Sequence, residues 1–495
     1  MSRRSPGAVE GAELTDFERR ERARARAKVA RYDQVADWRM KHITVGHYYS
    51  EQLQRLVASL VIPGSRVLDV GCGLGDMLAA LRPAEGVGID VSPRMVELGR
   101  QRHPELDLRV ADVEHDELPA GPFDVIVISD VLGMLHDIQR ALERLRPLLT
   151  ERGRLVVTYY NFLWEPVLRL VEALGLKTVW PEQNWLSMSD IENLLHLSDY
   201  EVVRRGTDIL SPVRLPVLSD LANRVGAKLP GLKEAALVDY FVARPAPTQL
   251  PAEEPTVSVI CPCKDERGNI GDAIERTPLM GQGTELIFVD GGSTDGTREE
   301  ILRLSEVYDG PLELRLIDQG EGRGKGDAVR QGFAAAKHDV LMILDSDLTV
   351  PPEDLPKFYR ALVTNKGEFI NGVRLVYPME GQAMRYLNQV GNKFFSLALS
   401  WLLEQPIKDS LCGTKVVYRT DYERIAANRG FFGDFDPFGD FDLLFGAGRL
   451  NLKVIDLPVR YRDRVYGDTK ISRFQHGWLL LKMTAFGFRK LRMGR

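Results

Sequence analysis

The chain has 495 residues, of which 44% are hydrophobic and 27% are charged, and its formal net charge at pH 7 is -5. This composition is that of a globular protein with two domains of ordinary size, and the mild charge excludes a protein that binds nucleic acid through its overall charge. The four cysteines form no C-x-x-C pair, which argues against a zinc site or a disulfide framework and favours a reducing, cytoplasmic setting.

The first 45 residues are rich in arginine and glutamate, and they lack the apolar stretch of a signal peptide. We expect a charged arm followed by a helix over residues 1–45. No stretch of the sequence reaches the roughly 18 consecutive apolar residues that a membrane-spanning helix needs. The sequence therefore predicts a cytoplasmic protein, with peripheral binding at the cytoplasmic face of the membrane as its only membrane contact.

A proline-rich stretch divides the chain. Residues 244–256, RPAPTQLPAEEPT, contain four prolines and no apolar periodicity, which is typical of a semi-rigid linker. On both sides of this stretch the pattern alternates strand, glycine-containing turn, helix and strand, and such alternation predicts mainly parallel sheets. We therefore expect two α/β domains, over residues 46–243 and 257–495.

In the first domain, a short buried strand from Arg66 to Val70 runs into a turn over residues 71–75 that holds three glycines, and then into a helix. Glycines let the backbone turn sharply and approach a ligand, and the start of the helix adds unpaired N–H donors. The next two strands end at Asp90 and Asp112. A carboxylate about twenty residues after such a turn is placed to accept both hydroxyls of a ribose.

This pattern resembles that of the class I S-adenosylmethionine-dependent methyltransferases, in the residues VLDVGCGLG, GID and VADV. Dinucleotide-binding folds space their glycines differently, which disfavours a nicotinamide oxidoreductase. The resemblance implies a Rossmann-like fold with a seven-stranded mixed sheet and S-adenosylmethionine as cofactor. It assigns the methionine part of the cofactor to Asp69, Gly71, Gly73 and Gly75. It assigns the ribose to Asp90, and the adenine to Asp112 and Val113.

Candidates for recognising a methyl acceptor are few in the first domain. His136 lies just beyond the fourth strand and is a candidate base for a hydroxyl acceptor, although a surface or capping histidine is the commoner case at such a position. Four aromatic residues are candidates to line an acceptor pocket or to belong to the core: Tyr48, Tyr49, Trp164 and Trp185.

The second domain again has buried strands that end in polar residues. The run VLMILDSDL ends in Asp345 and Asp347, two carboxylates separated by one residue. Two hard oxygen ligands beside a diphosphate suit Mg²⁺ or Mn²⁺, because a cation removes the repulsion between the carboxylates and the phosphates. Taken alone, such a pair is more often a solvated turn.

Five motifs in order favour the metal site. PCKDERGNI, VDGGSTDGT, GRGKGDAV, LDSDL and DSLCGTKVVYR occur in the order of inverting family 2 glycosyltransferases of the GT-A fold. Residues 256–490 are most similar to the branch that includes dolichyl-phosphate mannose synthase and other polyprenyl-phosphate sugar transferases. The resemblance implies metal ligands at Asp345 and Asp347, with His476 as a further candidate. It assigns the nucleotide sugar donor to eight residues: Pro262, Asp265, Glu266, Asp290, Arg323, Gly324, Lys325 and Ser346.

Two positions depart from the family pattern. Gly291 stands where many relatives carry a second carboxylate, which leaves the nucleobase preference open. Lys415 stands where many carry arginine, so a bidentate phosphate contact becomes a point-charge contact.

Two classes of sugar acceptor stay open. A sugar hydroxyl needs a base, and Asp440 and Asp442 stand where family 2 enzymes usually hold one. A lipid phosphate is already ionised and needs cations to position it instead. The candidate cations are Lys415, Arg419, Arg464 and Lys470. For each of them, a solvated position on the surface is the alternative.

Two apolar segments are candidates for membrane contact. They are Phe394–Leu403 and residues 477–495, and both are too short to cross a bilayer but long enough to lie in its interface. A buried core helix and an amphipathic packing helix are the respective alternatives. From Lys453 to Arg495 there are eleven Lys and Arg residues against three Asp and Glu, a balance suited to phosphates or an anionic membrane surface.

Together these features predict a bifunctional enzyme. One domain transfers a sugar, with inversion and with a divalent metal, from a nucleotide sugar to a polyprenyl-phosphate or related lipid acceptor, and the other methylates the same glycan or lipid product. The first alternative is a surface-polysaccharide hydroxyl as the sugar acceptor. The second is a first domain that binds cofactor or a partner protein without methyl transfer. No nucleic-acid partner is expected.

Overall fold

The structure is a computed structural model of the chain. It describes residues 47–173, 184–247, 251–322, 324–374, 386–409, 412–431, 440–459 and 473–493, together with positions 29, 33 and 466. In residues 386–392, 440, 441, 473–477 and 493 the description covers the backbone only. The predicted N-terminal arm and helix lie outside the continuous part of this description.

A seven-stranded sheet organises the first half of the chain. Its strands are β1 (Arg66–Val70), β2 (Glu85–Asp90), β3 (Asp107–Val110), β4 (Phe123–Ser129), β5 (Leu149–Tyr160), β6 (Tyr200–Asp208) and β7 (Val238–Pro245). Their order across the sheet is β3-β2-β1-β4-β5-β7-β6, and β1 to β5 pair in parallel. Parallel pairing brings the carboxyl ends of these strands to one edge, where open α/β sheets place ligands.

Three helices of this half begin at recognisable capping residues. The described helices of this half are α1 (His47–Leu60), α2 (Asp76–Leu81), α3 (Pro93–Arg102), α4 (Ile138–Leu145), α5 (Glu165–Ala173), α6 (Met188–Leu197) and α7 (Leu218–Arg224). The Ser92 and Asp137 side chains accept hydrogen bonds from backbone amides at the starts of α3 and α4, and Ser187 with Asp190 forms a capping box on α6.

A second seven-stranded sheet organises the rest of the chain. Its strands are β8 (Val257–Cys263), β9 (Thr284–Asp290), β10 (Glu313–Asp318), β11 (Val340–Ile343), β12 (Phe369–Val373), β13 (Lys415–Tyr418) and β14 (Val454–Pro458). Their order is β10-β9-β8-β11-β13-β12-β14, and β13 runs antiparallel to both of its neighbours. The remaining pairs are parallel, so β8 to β11 present their carboxyl ends at one edge.

The helices around the second sheet cover its apolar strands. They are α8 (Ile270–Arg276), α9 (Thr297–Val307), α10 (Gly324–Ala335), α11 (Leu355–Val363), α12 (Tyr386–Leu403), α13 (Arg419–Ala427), α14 (Asp440–Arg449) and α15 (Arg473–Gly487). The core includes Val259, Phe288 and Met342 of the strands and Phe358 of α11, all fully buried. Continuous apolar runs are what a parallel sheet buried on both faces requires.

The chain divides into two compact units. The first comprises Met1–Ser198, Ile209–Asp220 and Ala235–Val238, and the second comprises Asp199–Asp208, Leu221–Glu234 and Asp239–Arg495. The predicted α/β class with two sheets, the first of seven mixed strands, is confirmed. The predicted domain boundaries and linker stay predictions. Within the described part of the chain, no helix combines the length and apolarity that crossing a membrane requires.

Candidate active sites

The glycine turn after β1 is closely packed. Gly71 has φ +76°, a left-handed backbone that favours glycine, and its N–H donates to the Ile89 carbonyl at 2.7 Å. A Cβ on Gly71 would lie 2.3 Å from Cγ2 of Val131, the second residue after β4. A side chain at position 71 is therefore excluded both by the backbone angle and by the contact with Val131.

Asp90, at the end of β2, anchors this turn. Its Oδ2 accepts the N–H of Gly73 at 2.9 Å, and its Oδ1 accepts the N–H of Ser92 at 2.9 Å. The carboxylate predicted to hold the ribose thus also fixes the shape of the glycine turn. Gly75, with φ +81°, ends the turn at the start of α2.

Asp69 is a buried carboxyl beneath the turn. It is 2% exposed, and its Oδ2 has no hydrogen-bond partner among the described residues. Burial, with a smaller effect from the charge of Asp90, raises the pKa of Asp69 to about 7. An orphaned buried oxygen beside a turn that only glycine can form fits a ligand with hydrogen-bond donors, as the amino group of a methionine moiety would supply.

We expect Asp69→Asn to raise the melting temperature of the ligand-free protein at pH 7, and this gain to shrink toward pH 4. The folded protein holds the proton of Asp69 up to a pKa of about 7, whereas the ordinary value is 3.8. Unfolding between these values releases the proton, so the wild type loses stability as the pH rises through this window. Asparagine does not titrate. Thermal unfolding of both proteins across the window measures the difference, and a pH-independent difference contradicts the raised pKa.

Asp112 and Val113, the predicted adenine contacts, follow β3 in a tight turn. Asp112 accepts the N–H of Glu114 at 2.9 Å and pairs with His115 at 3.0 Å. Val113 is buried, and its carbonyl accepts a hydrogen bond from Arg144 at 2.7 Å. These bonds hold the turn, which lies at the same edge of the sheet as Asp69 and Asp90.

The residues proposed around a methyl acceptor differ in burial and in their hydrogen-bond partners. His136 is exposed, and its backbone N–H donates to buried Glu114. Tyr48 is buried and donates to Asp220 at 3.1 Å, and Trp164 donates to the Ala235 carbonyl at 2.9 Å. Trp185 is half-buried.

Tyr49 lies at the same sheet edge and donates to Asp130 at 2.7 Å. Sequence reasoning missed Asp130. It follows a buried strand in the same way as Asp90 and Asp345, a signal that would have found it.

In the second half, three acidic residues lie at the ends of β8 and β9. Asp265 accepts the N–H of Thr294 at 2.8 Å, and buried Glu266 accepts a hydrogen bond from Asn269 at 2.7 Å. Asp290 is 2% exposed and accepts the hydroxyl of Ser293 at 2.5 Å. The bond between Asp265 and Thr294 joins the turns after β8 and β9 at the predicted base and ribose site. Pro262, at the end of β8, is half-buried.

The paired carboxylates follow β11 at the same edge. Asp345 forms an ion pair with Lys325 of α10 at 2.5 Å, and Asp347 accepts both the N–H and the hydroxyl of Thr349, at 3.2 and 2.8 Å. Ser346 between them is buried, and Gly324 is exposed at the start of α10. Burial opposes ionisation of Asp345, but its pKa is lowered overall, by Lys325 first and then by Lys415 and Arg374.

Gly413 lies against this carboxylate. A Cβ on Gly413 would lie 2.1 Å from Oδ2 of Asp345 and 2.3 Å from Nζ of Lys325. The Asp345–Lys325 pair therefore packs directly onto the backbone before β13. Two carboxylates at one strand end, in a cradle that only glycine leaves open, form a donor set that fits Mg²⁺ or Mn²⁺.

We expect Gly413→Ala to lower kcat/KM for sugar transfer by about 10²-fold, because displacement of a positioned group by about 1 Å has an effect of that size. Gly430→Ala is the matched control, since nothing lies within 4 Å of a Cβ at that position. Initial rates with a nucleotide sugar measure both variants. Equal rates in the two variants contradict the proposed role of the Asp345 position.

Lys415, on β13, is fully buried, and its ammonium donates to the Cys412 carbonyl. The solvated surface position considered for it is therefore excluded. Arg374, just after β12, forms a bidentate pair with fully buried Asp409, at 2.8 and 2.9 Å. Neither Arg374 nor Asp409 was singled out from the sequence, although Asp409 opens the quoted motif DSLCGTKVVYR.

The candidate bases and the remaining cations are only partly described. Asp442 is buried and paired with Arg429 at 2.9 Å. Arg419 is half-buried at the start of α13. Outside the description lie Arg323, Arg464 and Lys470 and the side chains of Asp440 and His476.

A separate acidic group lies at the opposite edge of the second sheet. Ligand atoms of Glu285, Glu313 and His338 lie within 4.8 Å of one another. Glu285 already accepts hydrogen bonds from Ser258 at 2.5 Å and from Arg315 at 2.7 Å. These bonds make the group part of an ion-pair network that links the starts of neighbouring strands.

Two family models match the chain. Residues 41–205 match the methyltransferase domain model, and residues 258–425 match that of glycosyl transferase family 2. Both resemblances inferred from the motifs are thereby confirmed. Each match covers about a third of the chain, on either side of the proline-rich stretch.

Individual relatives match one half each. The dolichol-phosphate mannosyltransferase of Pyrococcus furiosus is 35% identical over 223 residues, which are 44% of this chain and 59% of that protein. The undecaprenyl-phosphate 4-deoxy-4-formamido-L-arabinose transferase of Pseudomonas fluorescens is 24% identical over 44% of this chain and 60% of its own length. The chain thus spans about three fifths of these two relatives. A solved S-adenosylmethionine-dependent methyltransferase from Thermotoga maritima is 19% identical, with a TM-score of 0.36, and matches 44% of this chain and 99% of its own.

Proposed function

We propose, for a chain that carries a methyltransferase domain followed by a family 2 glycosyltransferase domain, that the second domain transfers a sugar from a nucleotide sugar to a polyprenyl phosphate. The observation that carries this proposal is the grouping of Asp345, Asp347 and Lys325 beside Asp290 and Asp265 at one edge of a parallel sheet. The first relatives match over only part of their length, so their substrates enter here as part of the proposal.

Binding of the nucleotide sugar requires residues that hold the nucleoside and the anionic diphosphate. Asp265, Glu266 and Asp290 hold the nucleoside, and Lys325 lies along the diphosphate, with Arg323 and Gly324 as its predicted neighbours. Asp345 and Asp347 would hold Mg²⁺ or Mn²⁺, which when bound would neutralise charge on the departing diphosphate. The acceptor oxygen forms its bond to the anomeric carbon as the bond to the diphosphate breaks on the opposite face, so the anomeric configuration inverts.

The acceptor is inferred from the charges around Asp345. Buried Lys415 and Arg374, which is paired with Asp409, both lower the pKa of Asp345, so positive charge lies near this carboxylate, and positive charge attracts a phosphate. A hydroxyl acceptor would need a base, and the described candidate, Asp442, is buried in an ion pair with Arg429. The geometry therefore supports an ionised phosphate acceptor better than a polysaccharide hydroxyl.

The test is transfer from GDP-mannose and UDP-glucose, with Mn²⁺, to undecaprenyl phosphate or to a soluble oligosaccharide. We expect product only with the lipid phosphate, with inverted configuration, and Asp442→Asn to retain activity. A soluble glycan product that is lost in Asp442→Asn supports the polysaccharide alternative. Product that keeps the donor's anomeric configuration contradicts the proposed chemistry.

We also propose that the second unit docks on an anionic membrane surface through α12 and α15. Four large apolar side chains of these helices are exposed: Phe394 (55%), Leu397 (65%), Trp478 (62%) and Leu481 (42%). Lys482 lies over the Trp478 ring at 5.6 Å, so a cation accompanies the apolar surface. Apolar side chains with neighbouring cations are typical of helices that lie in the membrane interface.

Trp478→Ser combined with Leu397→Ser is expected to reduce sedimentation with vesicles of phosphatidylglycerol by about tenfold, because two large apolar groups no longer enter the interface. The matched control is Leu302→Ser combined with Val307→Ser, on α9, where the side chains are 46% and 68% exposed. Equal sedimentation of the two double variants contradicts the docking surface.

The first domain is proposed to bind S-adenosylmethionine at the Gly71 turn, with Asp69, Asp90 and Asp112, and to methylate the lipid-linked sugar made by the second domain. Covalent linkage of the two domains raises the effective concentration of the shared intermediate. The test is incorporation of labelled methyl groups into lipid made from undecaprenyl phosphate by the same protein. Tight binding of S-adenosylmethionine without any labelled product supports the alternative of a non-catalytic domain.

A further inference from the structure

Asp130 has an unusual backbone at the carboxyl end of β4. Its φ is +56°, in the left-handed region that residues other than glycine rarely adopt, although aspartate and asparagine adopt it most readily. Such strain persists only where surrounding contacts impose it, and it is concentrated at functional sites. The Asp130 N–H donates to the Thr158 carbonyl of β5 at 3.2 Å, which holds the strained residue against the sheet.

A hydrogen-bond network orients the Asp130 carboxylate. Its Oδ2 accepts the Tyr49 hydroxyl of α1 at 2.7 Å, and its Oδ1 accepts the Thr158 hydroxyl at 3.3 Å. Thr158 is also bonded to Ser129 at 2.9 Å, and the Tyr49 ring stacks on Tyr160 at 5.9 Å. Burial, and then the charge of Asp130, raises the pKa of Tyr49 well above its ordinary value, so Tyr49 stays protonated and donates its hydrogen bond to the Asp130 carboxylate.

Asp130 is also adjacent to the glycine turn. The next residue, Val131, is the one whose side chain occupies the space beside the Gly71 Cα. The carboxylate is therefore one residue away from a direct contact with the turn assigned to the cofactor. Asp130 itself is half-buried and not enclosed in the core.

We propose that Asp130 is the catalytic base of the first domain and that its methyl acceptor is a hydroxyl group. The inference rests on the proposed binding of S-adenosylmethionine at the Gly71 turn. The acceptor oxygen forms a bond to the methyl carbon while its proton passes to the Asp130 carboxylate, and the carbon–sulfur electron pair stays on sulfur. The products are a methyl ether, S-adenosylhomocysteine and a protonated Asp130 that returns its proton to water.

The chemistry of the carboxylate selects the acceptor class. A hydroxyl is a weak nucleophile and gains from a base within hydrogen-bond reach. A carboxylate or phosphate acceptor needs no base and would be repelled by the charge of Asp130. Exposed His136, the base considered from the sequence, is not required in this arrangement.

Sinefungin tests the position of Asp130 without an acceptor. This analogue carries a protonated amine where S-adenosylmethionine carries the reactive methyl group, whereas S-adenosylhomocysteine carries neither. We expect the wild type to bind sinefungin at least about tenfold more tightly than S-adenosylhomocysteine, because a charge-assisted hydrogen bond to Asp130 has an effect of that size. Asp130→Asn should remove this preference and leave the Kd of S-adenosylhomocysteine within about twofold.

The matched control is Asp137→Asn, the same substitution seven residues further on. Asp137 accepts the N–H of Arg140 at the start of α4, and asparagine caps helices equally well, so both Kd values should be unchanged. Asparagine also tolerates the backbone of Asp130, and Asp130→Gly carries the same test should Asp130→Asn fail to fold. Equal weakening of both ligands, or of neither, overturns the position assigned to Asp130. Failure of the wild type to bind either ligand overturns the cofactor assignment and this inference with it.

The acceptor class is tested on labelled lipid. The wild type is incubated with undecaprenyl phosphate, GDP-mannose or UDP-glucose, and S-adenosylmethionine labelled in its methyl group. A hydroxyl acceptor gives a methyl ether, whose label survives mild alkali, and Asp130→Asn should lower incorporation by at least about 10²-fold. Label released by mild alkali indicates a methyl ester and overturns the hydroxyl assignment. If no label is incorporated although the wild type still prefers sinefungin, the proposal that the first domain methylates the product of the second domain is wrong. The position assigned to Asp130 then still stands.

Discussion

Asp345→Asn is expected to lower kcat for sugar transfer by about 10³-fold, which corresponds to about 4 kcal/mol of transition-state stabilisation. The carboxylate has two functions in the proposed site. It is one of the predicted metal ligands, and it pairs with the Lys325 ammonium at 2.5 Å. Asparagine keeps the shape but loses the charge, so the metal is bound less tightly. Turnover with Mn²⁺, and Mn²⁺ binding followed by electron paramagnetic resonance, measure the two effects separately.

Two further variants separate the metal from the ion pair. Lys325→Met removes the same ion pair but leaves both carboxylates, so it should weaken donor binding without abolishing Mn²⁺ binding. Asp318→Asn is the matched control, because Asp318 ends the neighbouring strand β10 and is an exposed partner of Arg298 at 2.7 Å. Undiminished turnover of Asp345→Asn, or of wild type freed of metal with EDTA, contradicts the metal site.

Gly71→Ala is expected to abolish binding of S-adenosylmethionine and to lower the melting temperature of the first domain. The backbone at φ +76° costs about 1–2 kcal/mol for a residue with a Cβ. The new methyl group at 2.3 Å from Val131 adds an overpacking cost of about 1–3 kcal/mol. Relief of that contact moves the glycine turn, and with it the Asp90 hydrogen bond to Gly73. Calorimetric titration with S-adenosylmethionine and a thermal melt measure both effects.

Gly64→Ala measures the energetic cost of the left-handed backbone alone. Gly64 has φ +82°, almost the same angle, but nothing lies within 4 Å of a Cβ there. This variant should lose only the stability that a left-handed backbone costs alanine, and it should bind S-adenosylmethionine like the wild type. Equal losses in the two variants contradict the importance of the Gly71–Val131 contact.

The positions of Asp69, Asp90, Asp290 and Asp345 were predictable because each is a local feature. In each case a short apolar run predicts a buried strand, and an acidic residue at or near its carboxyl end marks the edge of a parallel sheet. The same rule points to Asp130, which was missed because VISDVL carries no glycine turn to draw attention to it. Its left-handed backbone and its bond to Tyr49 have no signature in the sequence, since Tyr49 lies 81 residues earlier.

Other features depend on residues that are far apart in the chain. The sequence predicts a surface cation at Lys415, yet β13 lies between β11 and β12, and Lys415 itself is fully buried. Gly413 has no local reason to be glycine, and its reason is the Asp345–Lys325 pair that packs on its Cα. Asp442 reads as a base in a family pattern, and only the fold pairs it with Arg429.

By itself the sequence determined the two α/β domains, the order of the motifs and the acidic strand ends, because strand periodicity and glycine turns act between near neighbours. The tertiary structure alone decided which cations surround Asp345 and which donor orients Asp130. Those partners come from separate helices and strands, and their meeting depends on strand order, which no local pattern encodes. Charge–charge energies fall with distance, so the chemistry of each site follows from that long-range placement.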